Sequence, residues 1–457
     1  MMETERERRP KVLFVSLGCD KNLADSEAML GVLSAHGYTF TDDETEAEVI
    51  VVNTCCFIGD AKEESIRTIL EMARWKKEGR CKALLATGCL AERYREEILA
   101  ELPELDGILG TTAYDQIVTL VEEALTGKKP RLFQSVDRLV PGQGNRVVTT
   151  GGHYAYLKIA EGCDKHCTYC VIPKVRGNYR SVPMEQLLAE AGMLAEKGVR
   201  ELILVAQETT VYGVDLYGRK MLPELLRKLA GIPGIYWIRL LYCYPEEITD
   251  ELIEVIATEE KICHYLDMPV QHASDSILKR MGRRTSRQGL LDMIEKLRQR
   301  IPDIALRTTL LVGFPGETRE DFETLYEFVD MVGFERLGVF TYSPEEDTPA
   351  VSWPDQVPEE EKERRKDRLM ELQQEIAFDA GEEMKGRILT VMIEGKVADE
   401  AAYVGRAYMD APGVDGYIFV RTGEALMTGD FVTVRVTGAA DYDLIGEIYD
   451  EFDESAE

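Results

Sequence analysis

Three cysteines share one short run, Glu161-Gly162-Cys163-Asp164-Lys165-His166-Cys167-Thr168-Tyr169-Cys170. Thiolate sulfur is a soft metal ligand. Three thiolates in a compact loop can hold three irons of a 4Fe–4S cluster and leave the fourth iron open. Capping of all four irons would suit electron transfer; an open iron suits substrate chemistry. Structural zinc is the alternative, with His166 or a distant residue as fourth ligand. Zinc segments usually pair their ligands as two Cys-x-x-Cys knuckles, whereas the spacing here is Cys-x-x-x-Cys-x-x-Cys.

A second set emerges only when the elements that position it are placed. Val12-Leu13-Phe14-Val15-Ser16, Val49-Ile50-Val51-Val52-Asn53-Thr54 and Ala83-Leu84-Leu85-Ala86-Thr87-Gly88 are short apolar runs that read as strands. Helical patterns at 25–36 and 59–78 separate them, which predicts a parallel α/β sheet to about residue 130. Cys19, Cys55 and Cys89 each follow one of these strands. In a parallel sheet they share the carboxyl edge, where α/β proteins bind ligands. The other reading is that thiols are small and apolar and are often buried near strand ends. Cys56, Cys81, Cys243 and Cys263 fit that description, and Cys56 faces differently from its neighbour Cys55.

Beyond a Pro- and Gly-containing connection at 131–150, which includes Pro141, Gly142 and Gly144, the alternation resumes. Strand patterns lie near 154–160, 201–206, 237–242, 265–270, 305–312 and 337–342. Helical patterns lie at 184–197, 222–231, 247–258, 285–300 and 319–331. Six strand–helix units predict a partial parallel barrel whose active site sits at the carboxyl ends of its strands, with Cys163 at the end of the first. A charged helical stretch covers 359–384. After Gly386, short β-rich runs such as Leu389–Ile393, Tyr417–Val420 and Phe431–Val436 predict a small antiparallel barrel. The expected division is a charged tail at 1–10, an α/β domain at 11–130, a linker at 131–150, a barrel domain at 151–384, a β-barrel at 385–450 and an acidic tail at 451–457.

Composition narrows the classes of function. With 45% hydrophobic and 30% charged residues among 457, this is the composition of a globular protein with two or three domains. No apolar run approaches the roughly 18 residues of a membrane span, and the charged start lacks a signal-peptide core; a cytoplasmic location is expected. In that setting ten cysteines point to metal or redox chemistry rather than disulfides. The net charge of −29 disfavours a general nucleic-acid binder and permits a basic partner.

The three-cysteine loop, with Tyr169 before its last cysteine, resembles the signature of radical S-adenosylmethionine enzymes. Ser16-Leu17-Gly18-Cys19-Asp20-Lys21-Asn22 with Asp25-Ser26-Glu27, then Asn53-Thr54-Cys55 and Thr87-Gly88-Cys89-Leu90, resembles in order the opening motifs of the methylthiotransferase family. The resemblance covers about residues 11–449. It implies an N-terminal methylthiotransferase domain, a radical S-adenosylmethionine barrel and a C-terminal TRAM barrel. It also implies two 4Fe–4S clusters, one on Cys163, Cys167 and Cys170 and one on Cys19, Cys55 and Cys89. For S-adenosylmethionine it implies contacts from Tyr169, from Glu208 in Ala206-Gln207-Glu208-Thr209, and from Gly313 and Gly316 in Val312-Gly313-Phe314-Pro315-Gly316-Glu317-Thr318. The family pattern carries Asp where Glu208 stands. A Gly-Pro-Gly run is also an ordinary turn, and His272, after Pro269-Val270-Gln271, is a core histidine or a functional one. Lys174, Arg176 and Arg180 follow the cluster loop and are either substrate-carboxylate contacts or surface charge.

Leu240-Leu241-Tyr242-Cys243-Tyr244-Pro245 and Val404-Gly405-Arg406-Ala407-Tyr408-Met409-Asp410-Ala411-Pro412-Gly413-Val414-Asp415-Gly416 resemble the branch of the family that modifies a ribosomal protein. From Gly386 to Glu457 five basic residues stand against fifteen acids, a net charge of −10. Such a segment repels RNA phosphate and suits a basic protein. The resemblance implies methylthiolation at the β-carbon of an aspartate in the small-subunit ribosomal protein called S-twelve, free or in an assembling subunit, with an electron donor and a sulfur source. An unactivated C–H bond offers no acidic proton, so no side chain is assigned as a catalytic acid or base. The rival readings are a tRNA adenosine methylthiotransferase and a non-enzymatic iron–sulfur carrier.

Overall fold

The computed structural model describes residues 8–140 and 146–449. The expected tails at 1–10 and 451–457, and Pro141, Gly142 and Gly144 of the expected linker, lie wholly or largely outside the described residues. The chain divides into two compact units. One comprises Met1–Thr149, Lys158–Gln186 and Ser343–Val351; the other comprises Thr150–Leu157, Leu187–Tyr342 and Ser352–Glu457.

The first unit is built on a six-stranded parallel sheet in the order Thr39–Phe40, Lys11–Ser16, Val49–Thr54, Ala83–Gly88, Gly107–Leu109, Arg131–Leu132. Every residue of Val49–Thr54 and Ala83–Gly88 is buried, as expected of central parallel strands covered on both faces. Alternation sends Ile50, Val52, Leu84 and Ala86 into one apolar layer and Val49, Val51, Ala83 and Leu85 into the other. Each fully buried Val, Ile or Leu stabilises the sheet by about 1.5–3 kcal/mol relative to exposure. Val171 and Val175, which follow Cys170, pack into the first of these layers with Cys89, Leu90 and Ile98. The segment behind the three-cysteine loop is thereby seated on the N-terminal sheet.

The second unit holds a six-stranded sheet whose neighbours follow chain order: Tyr154–Lys158, Glu201–Val205, Trp237–Leu240, Ile262–Asp267, Ala305–Val312, Arg336–Thr341. The described pairings from Glu201–Val205 onward are parallel. Helices Met184–Glu196, Leu222–Ala230, Asp250–Thr258, Arg287–Arg300 and Arg319–Val332 alternate with the strands, giving the partial (βα)6 barrel expected. After the helix Glu359–Glu383, five strands close a small barrel in the order Ile388–Lys396, Ala402–Ala407, Ile418–Arg421, Asp443–Ile448, Phe431–Ala440.

Several expectations shift in detail. The fourth strand of the larger sheet runs over Ile262–Asp267, earlier than the expected 265–270, in keeping with Pro269, which has no N–H to give a ladder. Arg131–Leu132 extends the first sheet into the segment read as a connection. The small barrel is not wholly antiparallel: Ile418–Arg421 pairs in parallel with Asp443–Ile448. The chain crosses the barrel through Phe431–Ala440, then reverses in a tight hairpin and returns beside Ile418–Arg421 in the same direction. Among the described residues no helix is long and apolar enough to cross a membrane.

Candidate active site

The carboxyl ends of three adjacent strands bring Cys19, Cys55 and Cys89 together in the first unit. Ser16 is in register with Asn53, and Asn53 with Thr87, so the three chains leave the sheet at one level. Cys19 caps the N-terminus of helix Asp20–Ala35, Cys55 directly follows its strand, and Cys89 opens the short helix Cys89–Tyr94. Gly18 turns the first loop toward the second with φ +86°; a Cβ there would lie 2.7 Å from the Cys55 Cβ and 2.9 Å from its sulfur. Only glycine combines that left-handed backbone with so close an approach.

Buried amides and hydroxyls hold these strand ends. Asn22 donates from Nδ2 to the carbonyls of Leu17 (3.0 Å) and Thr54 (2.9 Å). Asn53 donates to the Asn22 carbonyl and the Ser26 hydroxyl, both at 2.9 Å, and accepts from Thr87 Oγ1 at 3.1 Å. Burial raises the thiol pKa of Cys55 and of Cys89. Arg176 opposes the rise at both, and the neighbouring thiols add to it. Cys56 is also buried and is pushed up to about 12, again by desolvation; its side chain packs in the apolar layer with Ile50, Val52 and Cys89, and its carbonyl accepts from Arg93.

The other cysteine loop is closed by a two-stranded antiparallel ribbon, Ala160–Glu161 against Arg180–Ser181. Within it the Cys163 amide donates to the Gly177 carbonyl at 3.1 Å, and the Cys170 amide to the Cys167 carbonyl at 3.1 Å. Cys163 and Cys167 are buried and Cys170 is partly exposed. Desolvation raises the Cys170 thiol pKa, and Cys167 and Cys163 push it further the same way. Tyr169 is half-buried beside it. None of the ten cysteines forms a disulfide.

Both sets fit an iron–sulfur group. Each offers three thiols from a rigid backbone frame, and their protons would leave as metal binds. Among the described residues no three His, Cys, Asp or Glu side chains converge as ligands of a single ion. Thiolates that each bind a different iron of one cluster stand further apart than that.

A buried charge network, not foreseen in the sequence, lies against the second set. Arg176 Nη1 donates to Asp25 Oδ2 at 2.6 Å and to Glu161 Oε2 at 3.2 Å; Nε and Nη2 each lie 3.4 Å from the Cys89 sulfur, and Nη2 also reaches Asn22. Lys158 pairs with the same two acids, with Glu161 at 2.7 Å. Desolvation works against the charge of Arg176, but Cys89, Glu161 and Asp25 outweigh it and hold its pKa well above the ordinary value. Arg176 is only 2% exposed. It is therefore neither surface charge nor a residue presented to a substrate carboxylate, which corrects both sequence readings of it. Lys174 instead meets Asp347 at 3.3 Å with both side chains exposed. The signal available in sequence was Asp25 in the opening motif and Glu161 two residues before Cys163; their pairing with Arg176 depends on the fold.

In the second unit, Glu208 is buried just beyond Glu201–Val205 and accepts from Thr210 Oγ1 at 3.3 Å. The space beside Gly313 is filled by the Lys362 side chain and that beside Gly316 by Arg280, so these glycines accommodate side chains of this chain. His272 is fully buried. Its Nδ1 accepts the Ser274 amide at 2.9 Å, which places the neutral ring's proton on Nε2, 3.9 Å from Glu317. Glu317 in turn accepts from the Phe314 amide at 3.0 Å and from Arg365 at 2.8 Å. His272 is thus a core residue whose Nε2 finds no hydrogen-bond partner among the described residues.

Residues 11–110 match the family described as Uncharacterized protein family UPF0004, residues 157–329 the Radical SAM superfamily, and residues 386–448 the TRAM domain. The chain is 64% identical over 436 residues to a ribosomal protein uS12 methylthiotransferase RimO of Lachnoclostridium phytofermentans, covering 95% of this chain and 99% of that one. The chain belongs to the RimO family. RimO proteins of Acetivibrio thermocellus and Pelotomaculum thermopropionicum are 50% and 52% identical, over 97% and 96% of this chain and 99% of each relative. As a RimO family member the chain is a radical S-adenosylmethionine methylthiotransferase, and an iron–sulfur cluster and S-adenosylmethionine go with that superfamily. In fold it is similar to the radical S-adenosylmethionine methyltransferase TsrM of Kitasatospora setae, with a TM-score of 0.54 at 15% identity over 75% of each chain. That likeness concerns architecture alone.

Proposed function

We propose that this enzyme adds a methylthio group to the β-carbon of an aspartate in ribosomal protein uS12, the S-twelve protein of the small subunit. The observation that carries the substrate is the 64% identity, over nearly the full length of both chains, to a protein named as a uS12 methylthiotransferase; the aspartate β-carbon is what the family resemblance implies. The C-terminal segment supports it, since a net charge of −10 favours a basic protein over RNA. In this reading Cys163, Cys167 and Cys170 hold one 4Fe–4S cluster and Cys19, Cys55 and Cys89 hold a second. S-adenosylmethionine contacts are assigned to Tyr169, Glu208, Gly313 and Gly316 on their motifs.

When bound, these groups supply hydrogen-atom abstraction at the first set and methylthio delivery at the second, chemistry beyond any side-chain base. The chain's own residues bind and orient. The Gly177 carbonyl fixes the Cys163 backbone, and Asn22 and Asn53 fix the strand ends that carry Cys19, Cys55 and Cys89. Val171 and Val175 seat the first loop's trailing helix on the sheet that bears the second set, which limits relative movement of the two loops.

The test is a competition reaction read by mass spectrometry. Reconstituted enzyme, S-adenosylmethionine, sulfide and a strong reductant meet a uS12-derived aspartate peptide and an adenosine-modified tRNA stem together. Methylthio addition to the peptide alone is expected. Addition to the RNA alone would overturn the substrate assignment while keeping the chemistry.

A further inference from the structure

Arg176 ends the helix Ile172–Arg176, which begins two residues after Cys170. Its buried guanidinium places two nitrogens 3.4 Å from the Cys89 sulfur. We infer that Arg176 sets the reduction potential of the cluster held by Cys19, Cys55 and Cys89, by directing two charge-assisted hydrogen bonds from one buried cation onto the Cys89 ligand sulfur. The inference rests on the proposed cluster at that set.

Adding an electron to a cluster increases negative charge on its sulfurs. Donors and positive charge near a ligand sulfur favour the reduced form and raise the potential. Burial magnifies the effect, because there is little water to screen it. The guanidinium is oriented by its own fork: Nη1 is occupied by Asp25 and Glu161, which leaves the Nε edge and Nη2 toward Cys89 and Asn22. Asp25 and Glu161 are in turn neutralised by Lys158. Two cations therefore balance two carboxylates, and the donors nearest the sulfur belong to the cation. A lysine keeps the charge but lacks the planar fork that satisfies acids and sulfur at once.

Arg176 is on this reasoning a positioning and tuning residue rather than a catalytic one. The same helix carries Val175 into the core beside Cys89 and Leu90, so the residue that tunes the second set is fixed to the loop of the first.

The test uses full-length enzyme carrying Cys163→Ala, Cys167→Ala and Cys170→Ala, reconstituted anaerobically, with the remaining cluster titrated by electron paramagnetic resonance at set potentials. Adding Arg176→Gln is expected to disfavour reduction at least tenfold, a shift of about 59 mV to more negative potential for one electron. Arg176→Lys is expected to shift the same way by less, and it keeps the test available if the glutamine variant does not load. A loaded variant at the parent's potential would overturn the inference and leave Arg176 a purely structural cation. Failure of the parent to load any cluster would instead overturn the assignment of Cys19, Cys55 and Cys89.

Discussion

The Ser65 hydroxyl holds both backbone groups of Cys55, accepting from its amide at 3.0 Å and donating to its carbonyl at 2.8 Å. Ser65 belongs to the helix Gly59–Ala73 and is buried, so a helix behind the strand sets the pose of a proposed cluster ligand. Ser65→Ala leaves the buried Cys55 amide without that partner, a cost of about 1–3 kcal/mol. Denaturant unfolding of the metal-free protein is expected to record that loss. Alkylation of Cys55 is expected to accelerate, while Cys163 reacts at the wild-type rate.

Gly18→Ala acts on the same ligand from the other side. The left-handed backbone alone costs a non-glycine residue about 1–2 kcal/mol, and the added carbon must displace Cys55. Iron bound by the reconstituted variant is expected to fall to the content of a chain lacking the second cysteine set. Wild-type iron in Gly18→Ala would contradict the proposed role of that loop.

In the second unit, Glu201 joins Arg239 and Arg406 at 2.7 Å each, and all three side chains are fully buried. Desolvation opposes the Glu201 charge, but Arg406 and Arg239 overcome it and lower the pKa. Arg406 also meets Glu394, which binds His153. The network ties the small barrel to the first strands of the larger sheet. Glu201→Gln takes the carboxylate from buried Arg239 and leaves Arg406 only Glu394, and is expected to destabilise this unit by about 3–5 kcal/mol in chemical denaturation. Exchanging the surface pair Arg227 and Glu251 is expected to cost less than about 1 kcal/mol.

Asp321 supplies a pH dependence. Burial alone would raise its pKa, but hydrogen bonds from Ser274, Ser276 and Thr318 hold it at about 2, below the ordinary 3.8. A depressed carboxylate stabilises the fold above its unfolded pKa, and that contribution is lost as pH falls through the folded value. Wild type is expected to lose about 1 kcal/mol from this group between about pH 4 and pH 2, allowing for solvent screening. Asp321→Asn is expected to lack that step in an acid titration of stability and to be weaker at pH 7.

Much of the architecture was legible because the core strands are unbroken apolar runs. Val49–Thr54 and Ala83–Gly88 occupy the positions that their composition predicts. Short strands such as Gly107–Leu109 and Arg131–Leu132 escaped notice because two or three residues carry no period. The cysteine sets were legible as strand-end residues, and the resemblance gave them an order. The Arg176–Cys89 contact was not, since it joins residues 87 positions apart through two loops and needs the buried Asp25 and Glu161 to make a cation tolerable there. His272 was ambiguous for a similar reason: its burial depends on how distant elements pack around it, with Glu317 lying 3.9 Å from its ring.

The central claim is that two separate three-thiolate sets each hold a cluster. Iron and acid-labile sulfide should be counted, after anaerobic reconstitution, in wild type and in two triple variants of the full chain. About eight irons are expected in wild type and about four in each of C19A/C55A/C89A and C163A/C167A/C170A. Wild-type iron retained by C19A/C55A/C89A would contradict the account, because the second set would then hold nothing.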